Sequence, residues 1–332
     1  MRNPQLVLPL DYMEQAAKAV RRAKKRVFLI GLTLFRSDST GQLLDAMITA
    51  AQRGIEVHVA ADFATYINAM RGIRDLPLTY RNRSARAVTS LGKDLTAAGA
   101  QFRWLGRQYG YLFMGRTHSK WLVVDNMVFS FGGVNIDRDS NFRNHTDYMF
   151  RIESQELADL LVNEQVAIEK VDKKGRTARN HSSKISIGKV LFDGGKPGRS
   201  MIYDTALRLA RQASEILLVS QHCPTGRLGK VLAQKPSRIY FNQLKNVDSK
   251  QNQLMIRLGK PSMRRNNLYN RAKYLHSKFM VFTMPDGSRR AITGSHNFVA
   301  ASSRLGTREV ALETDDEKII SQLEKFFHEH IE

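Results

Sequence analysis

The sequence predicts an α/β protein of two halves related by a pseudo-two-fold axis, each with a central mixed sheet flanked by helices. Three observations carry that expectation. Apolar residues alternate between helical and strand-like spacing along the chain. The same order of elements recurs in the second half. One motif also occurs twice, 158 positions apart, beginning at His118-Ser119-Lys120 and at His276-Ser277-Lys278. A duplication this long is not a short-period solenoid. The halves are expected at 1–172 and 173–332, sharing one site where they meet. A monomer then holds both half-sites, and no obligate protein partner is implied.

In the first half, Met13, Ala16, Ala17, Val20 and Ala23 recur at helical spacing ahead of a strand at Val27-Phe28-Leu29-Ile30. Thr40 can cap a second helix carrying Leu43, Leu44, Met47, Ala50 and Ala51, which Gly54 stops. A strand follows over Ile55–Ala61. Trp121–Val124 and Val128–Phe131 read as strands paired across an Asp125-Asn126 turn. A helix over Glu153–Val171 closes the half. The second half repeats the order, with a helix over Asp204–Ala213 and strands at Ile216–Ser220 and Arg238–Phe241. A hairpin of Phe279–Phe282 and Ala291–Thr293 turns at Pro285-Asp286-Gly287, and a last helix spans Asp315–His330. The polar, basic stretch from Asp172 to Ser200 reads as the connection between halves.

Charge narrows the function classes. Lys and Arg number 52 against 31 Asp and Glu, a net of +21. That surplus favours a polyanionic partner, nucleic acid or an anionic lipid surface. Cys223 is the single cysteine, so no intramolecular disulfide or cysteine-based zinc site can form, consistent with a reducing compartment. Met1–Leu10 is too short for a secretory signal, and the apolar run Val27–Phe35 is far too short to span a membrane. Action on lipid would therefore be peripheral, from the cytoplasm.

In each half His-Ser-Lys and the apolar run after it are expected in one continuous strand, whose alternation puts the His and the Lys on one face. Lys120 and Lys278 offer positive charge to phosphate oxygens; His118 and His276 offer a nucleophilic nitrogen or a proton. Asn135 and Asn297 close Gly132-Gly133-Val134-Asn135 and Gly294-Ser295-His296-Asn297, whose glycines allow close backbone approach. Asp147 and Glu309, each twelve residues after its Asn, can orient an imidazole. If the halves face each other, one His attacks phosphorus in line and the other protonates the leaving oxygen. The phosphohistidine formed is then resolved by water or an alcohol. No metal or cofactor is required, because two lysines supply the charge a divalent ion would bring.

This constellation resembles the phospholipase D superfamily, whose signature is His-x-Lys-(x)4-Asp-(x)6-Gly-Gly/Ser-x-Asn. His118, Lys120, Asp125, Gly132, Gly133 and Asn135 match throughout. His276, Lys278, Gly294, Ser295 and Asn297 match, but Thr283 stands where the family has Asp, and the spacer after it is four residues longer. The resemblance covers both halves and implies a phospholipase D-like fold. It also implies that the motif Asp is structural, that His118 is the nucleophile and that His276 is the general acid. His145-Thr146-Asp147 following Gly-Gly-x-Asn resembles the cardiolipin synthase branch. His145, His181, His222 and His328 otherwise read as surface or structural, and His296 as either a turn residue or a substrate contact.

Three basic stretches can form an electropositive rim: Arg71, Arg74, Arg81, Arg83 and Arg86; Lys173, Lys174, Arg176, Arg179 and Lys184; and Arg257, Lys260, Arg264, Arg265, Arg271 and Lys273. Apolar residues lie among or beside the first, from Tyr66, Ile67, Met70, Ile73, Leu76 and Leu78 to Tyr109, Tyr111, Leu112, Phe113 and Met114. The preferred expectation is a phosphatidyltransferase or phospholipase D, similar to cardiolipin synthases, acting on anionic phospholipid at a membrane surface. The alternative is a metal-independent nuclease or phosphodiesterase whose rim tracks nucleic-acid phosphates. A third reading is a basic binding module with a decayed second site.

Overall fold

The computed structural model describes residues 2–63, 83–106, 115–137, 145–247, 250–257, 259 and 261–332. The first half contributes strands β1 (Arg2–Val7), β2 (Arg26–Gly31), β3 (Glu56–Asp62), β4 (Gln101–Leu105), β5 (Arg116–Thr117), β6 (Trp121–Val124), β7 (Met127–Ser130), β8 (His145–Thr146) and β9 (Met149–Glu153). Its helices are α1 (Pro9–Arg21), α2 (Gly41–Gln52), α3 (Arg83–Ala97) and α4 (Gln155–Asp172). The second half contributes β10 (His181–Ile185), β11 (Gly188–Gly194), β12 (Glu215–Val219), β13 (Ser237–Tyr240), β14 (Tyr274–Leu275), β15 (Phe279–Thr283), β16 (Arg289–Gly294) and β17 (Thr307–Thr314). With them come α5 (Met201–Gln212), α6 (Gly226–Leu232), α7 (Lys250–Arg257), α8 (Pro261–Arg265), α9 (Ala300–Leu305) and α10 (Glu317–His330).

Two mixed sheets result, in the orders β1-β9-β7-β6-β2-β3-β4 and β10-β11-β17-β16-β15-β12-β13. In the first, β2, β3 and β4 run parallel, in the second β12 and β13 do, and each motif hairpin, β6–β7 or β15–β16, pairs antiparallel. Strands β2 and β12 are near-continuous apolar runs because they are buried on both faces. The C-terminal ends of β2 and β12 meet the beginnings of β6 and β15, so the two His-Ser-Lys segments emerge at that end of each sheet.

One hydrophobic core spans both sheets. It joins Phe28, Trp121 and Phe150 of the first with Val190, Phe192 and Phe279 of the second. Leu157 and Leu161 of α4 and Ile319, Leu323 and Phe327 of α10 belong to the same core. Separate cores lie under α1 and α2 and under α5 and α6. Helix α4 starts where Ser154 Oγ accepts from Leu157 N, a cap that contributes about 1 kcal/mol. Polar ties also cross between halves: Tyr148 Oη and Thr293 Oγ1 are 2.6 Å apart, and Thr293 Oγ1 donates to Phe131 O at 2.6 Å. The fully buried Arg308 Nη2 meets Asp172 Oδ1 at 2.8 Å.

Several expectations change. Thr40 stands at the start of α2, but its hydroxyl donates to Phe35 O and accepts from Ser37 N instead of capping the helix. The stretch read as a connection folds into the β10–β11 hairpin on the edge of the second sheet. Arg83 and Arg86 fall on α3. Arg271 donates to the carbonyls of Glu329 and Glu332, binding the end of α10. Arg71, Arg74, Arg81, Lys260 and all eleven interleaved apolar residues, from Tyr66 to Met114, lie outside the described residues.

Candidate active site

Each His-Ser-Lys lies in a break between two strands, one pairing with the opposite half and one with its own. Strand β5 runs parallel to the start of β17, and the amides of His118 and Ser119 both donate to Arg308 O, at 2.8 and 3.0 Å. The chain then enters β6. Symmetrically, β14 runs parallel to β8, and the amides of His276 and Ser277 donate to Thr146 O at 3.0 and 3.1 Å before β15 begins. The expectation of one continuous motif strand is corrected accordingly. Two such crossings lock the halves face to face around a single cleft.

That exchange carries the carboxylates across. His118 Nδ1 lies 2.8 Å from Glu309 Oε2, and His276 Nδ1 lies 2.7 Å from Asp147 Oδ2. Each imidazole is therefore oriented by the acid of the other half. With Nδ1–H donating to a carboxylate, the Nε2 lone pair is the nitrogen available for chemistry. Lys120 Nζ donates to His118 O at 2.9 Å, and Lys278 Nζ donates to His276 O. Each ammonium has further N–H groups for a ligand.

The glycines explain the close approach. A Cβ on Gly133 would sit 2.7 Å from Asp147 Oδ2 and 2.8 Å from His276 O, so a side chain there would displace the dyad. Gly133 N instead donates to Asp147 Oδ1 at 3.2 Å. At the equivalent place Ser295 Oγ donates to Glu309 Oε2 at 2.5 Å. Gly132 and Gly294 admit the carbonyls of Tyr148 and Val310. The amide oxygens of Asn135 and Asn297 are buried without a partner. With each amide turned so that Nδ2 takes the place of Oδ1, the two side chains present donors suited to phosphate oxygens.

Asp125 lies apart from the cleft. Its carboxylate accepts from the amides of Lys24, Lys25 and Arg26 at 2.9, 2.8 and 3.1 Å, tying the β6–β7 turn to the start of β2. Thr283 performs the matching tie with its backbone, its carbonyl accepting from Ser214 N at 2.8 Å and Ser214 Oγ at 3.0 Å. Replacement of Asp by Thr thus leaves the site's own contacts intact.

Burial dominates the electrostatics. It pushes the His118 imidazole down to about 4, with Glu309 opposing and Lys120 and Lys278 adding to the shift. His276 falls well below its ordinary value through burial, then Lys278 and its histidine neighbours. Burial works to raise Glu309, yet His118, His296 and Ser295 outweigh it and hold the carboxyl at about 2. Part of that depression comes from a charged His118, whereas the ring is neutral above about pH 4. The hydrogen bonds from Nδ1 and Ser295 still favour an ionised Glu309. Asp147 is raised by burial against the attraction of Lys278, and Lys278 is lowered by burial against Asp147. Burial also lowers Lys120, to about 8.

Two histidines read as structural belong to this neighbourhood. The His145 ring stacks on His276 at 5.2 Å between centroids and tilts against Tyr274 at 4.8 Å. His222 is buried at the end of β12, where burial, Lys278 and His118 push its imidazole to about 3. No local sequence signal marks either, because their partners lie far along the chain. His296 is buried; its Nδ1 accepts from Phe298 N at 2.9 Å and its Nε2 has no partner among the described residues. His181 pairs with Glu164 and His328 with Glu332, away from the motifs.

The family described as "Cardiolipin synthase, PLD-like domain" matches residues 17–166 and 213–331, well over half of the chain. The chain belongs to this family. Among curated relatives, cardiolipin synthase B of Escherichia coli is 29% identical over 160 residues, 46% of this chain and 34% of that protein. The aligned part is thus about a third of the relative's length. Among solved structures, phosphatidylserine synthase of Haemophilus influenzae superposes with a TM-score of 0.75 at 16% identity, over 99% of this chain and 87% of that one. Polyphosphate kinase of Porphyromonas gingivalis gives 0.62 at 10% identity, over 98% and 49%. At these identities the likeness shows the fold, a two-sheet PLD-like architecture.

Proposed function

We propose that this PLD-like chain is a phosphatidyltransferase that forms a phosphatidyl-histidine and passes it to an alcohol such as phosphatidylglycerol. The observation that carries the proposal is the crossed pair of His–carboxylate dyads, with two buried lysines among them. His118 Nε2 attacks phosphorus, assisted by ionised Glu309, which stabilises the positive charge that develops on the ring. The bond from phosphorus to the leaving oxygen breaks, and His276 Nε2–H gives that oxygen its proton. Neutral His276 then takes the proton from an incoming alcohol, whose oxygen attacks phosphorus and frees His118. Lys120, Lys278, Asn135 and Asn297 donate to the equatorial oxygens. A phosphodiester anion between the lysines also offsets the charge that disfavours imidazolium, so substrate itself promotes protonation of His276.

A family defined on cardiolipin synthases and a fold shared with phosphatidylserine synthase support lipid as substrate. No helix among the described residues is long and apolar enough to cross a membrane. The proposal places the chain on a membrane surface, held by its basic side chains. The net charge of +21 favours a second reading as a nuclease or other phosphodiesterase. Mass spectrometry of lipids after incubation with phosphatidylglycerol vesicles separates them. Cardiolipin or phosphatidic acid is the expected product. Their absence, with DNA or RNA cleaved in EDTA by the same preparation, would replace the lipid reading with the nuclease one.

A further inference from the structure

Glu309 has a second acid behind it. In the ladder between β11 and β17, Asp193 is the direct partner of Glu309. Side chains of such a pair share one face of the sheet, with Cβ atoms about 4.5–5.5 Å apart. Both are buried, Asp193 to 4% exposure and Glu309 to 2%. Like charges opposed across a ladder are destabilising, and burial adds to the cost. The hydrogen-bond partners of Asp193 among the described residues are neutral. Its Oδ2 accepts from Ser200 Oγ at 2.5 Å and its Oδ1 from Met201 N at 2.6 Å, at the start of α5. Burial lifts the carboxyl to about 7; Ser200, Met201 and Ile202 oppose the rise and Glu309 adds to it. Neighbouring charges are engaged elsewhere. Arg308 of β17 pairs with Asp172, His181 of β10 with Glu164, and Asp204 of α5 with Arg227. Lys196 and Arg199, on the loop into α5, are exposed. Glu309 itself is held by His118, Ser295 and Thr307. The other dyad has no such acid. Strand β1 holds the place of β11 in the first sheet, and its pairing with β9 ends at Val7 opposite Met149. Leu8 and Pro9 follow, so no carboxyl stands across that ladder from Asp147.

This asymmetry matches what the two histidines carry. When His118 Nε2 attacks, the N–P bond forms as the P–O bond breaks and Nδ1 keeps its proton, so the ring ends as a cation. His276 only gives and takes back a proton. We infer that Asp193 is a positioning residue that acts through Glu309, a second carboxylate that supports the first against the cation formed on His118. The inference rests on the assignment of His118 as nucleophile made above. While His118 is neutral, Asp193 gains nothing by ionising opposite Glu309. A cation on His118 favours that ionisation, and the Asp193 proton passes to solvent as phosphoenzyme forms. An interaction that strengthens only as charge develops lowers the barrier without tightening the ground state.

The test is the burst of nitrophenol from bis(p-nitrophenyl) phosphate, followed by stopped flow on the full chain between about pH 5 and about pH 9. This donor needs no acid for its leaving group and no lipid surface, so the burst reports attack by His118. Its rate constant does not depend on the fraction of protein that is folded. Asp193→Asn keeps an acceptor for Met201 N and a donor for Ser200 Oγ, but carries no charge. The ratio of wild-type to variant rate constants is expected near one at acid pH and should climb as pH rises through about 7. It should reach about tenfold, the effect of a unit charge roughly 10 Å away at an effective dielectric constant of ~20. A purely structural role would give a ratio independent of pH. Ser200→Ala removes a donor that favours ionised Asp193, so it should fall below wild type only in a window above about pH 7. Ratios that stay flat with pH in whichever of these variants folds would overturn the inference and leave the phosphoenzyme standing. Absence of a burst from the wild type would remove the assignment of His118 and this inference with it. A normal burst without products from lipid vesicles would overturn only the lipid reading.

Discussion

His118 is oriented by Glu309 of the opposite half, 2.8 Å from its Nδ1, and not by the acid that follows its own motif. Since Asp147 does the same for His276, neither half carries a complete dyad. The duplication has become one site through exchange of two short strands, β5 and β14.

The dyads predict that the carboxylates act through opposite histidines. Glu309→Gln leaves an acceptor for the Nδ1 proton but removes the charge that stabilises the cationic phosphohistidine. Its burst of phosphoenzyme should slow by about 10²–10⁴-fold. Asp147→Asn should slow the protonation of poor leaving groups instead. Rapid-quench kinetics of both variants distinguishes these outcomes from a common loss of folding.

Leaving-group chemistry separates the histidines. A nitrophenolate departs with little help from an acid, whereas a glycerol alkoxide needs its proton. His276→Ala should therefore lose about 10²–10⁴-fold more rate of phosphoenzyme formation with phosphatidylglycerol than with a nitrophenyl diester. His118→Ala should lose both alike. Equal sensitivity of both substrates to His276→Ala would contradict its role as acid.

The pH profile of kcat/KM should be bell-shaped. Attack needs neutral His118, so the acid limb falls as pH drops through about 4, the depressed value set by burial. Phosphate binding needs Lys120 and Lys278 charged and leaving-group protonation needs His276 charged; burial lowers all three, so activity falls as pH rises and is lost no later than about 8, where Lys120 gives up its proton. An alkaline limb near about 10.4, where an ordinary lysine titrates, would show that Lys120 is solvated.

Stability across the interface rests in part on Arg308 and Asp172, which are fully buried and 2.8 Å apart. Asp172→Ala leaves an uncompensated guanidinium and should cost about 3–5 kcal/mol in urea denaturation. The double variant Asp172→Leu, Arg308→Met should recover much of that loss, since it removes both charges.

The candidate residues were legible because they are close in sequence and recur in order. His118 and Lys120 lie near His276 and Lys278, each acting on the others' charge. The pairing was not legible, since Glu309 and His118 are brought together by a parallel crossing of two residues, too short to leave a periodic pattern. Strand β10 escaped notice for a related reason. As a polar edge strand its residues are at most half-buried, so it shows no apolar alternation. His145 and His222 looked solitary because the groups that define them, His276 and Lys278, come from elsewhere in the chain. Asp125 and Thr283 show the converse: the residue type differs while the structural tie survives through backbone.

The most direct test is to mix the His276→Ala variant with bis(p-nitrophenyl) phosphate, whose leaving group needs no acid, quench in alkali and map adducts by mass spectrometry of peptides. The account predicts a nitrophenyl-phosphoryl group on the peptide containing His118, accumulating because acceptor activation has been lost. An adduct on His276 in the His118→Ala variant, with none on His118 in the His276→Ala variant, would contradict it.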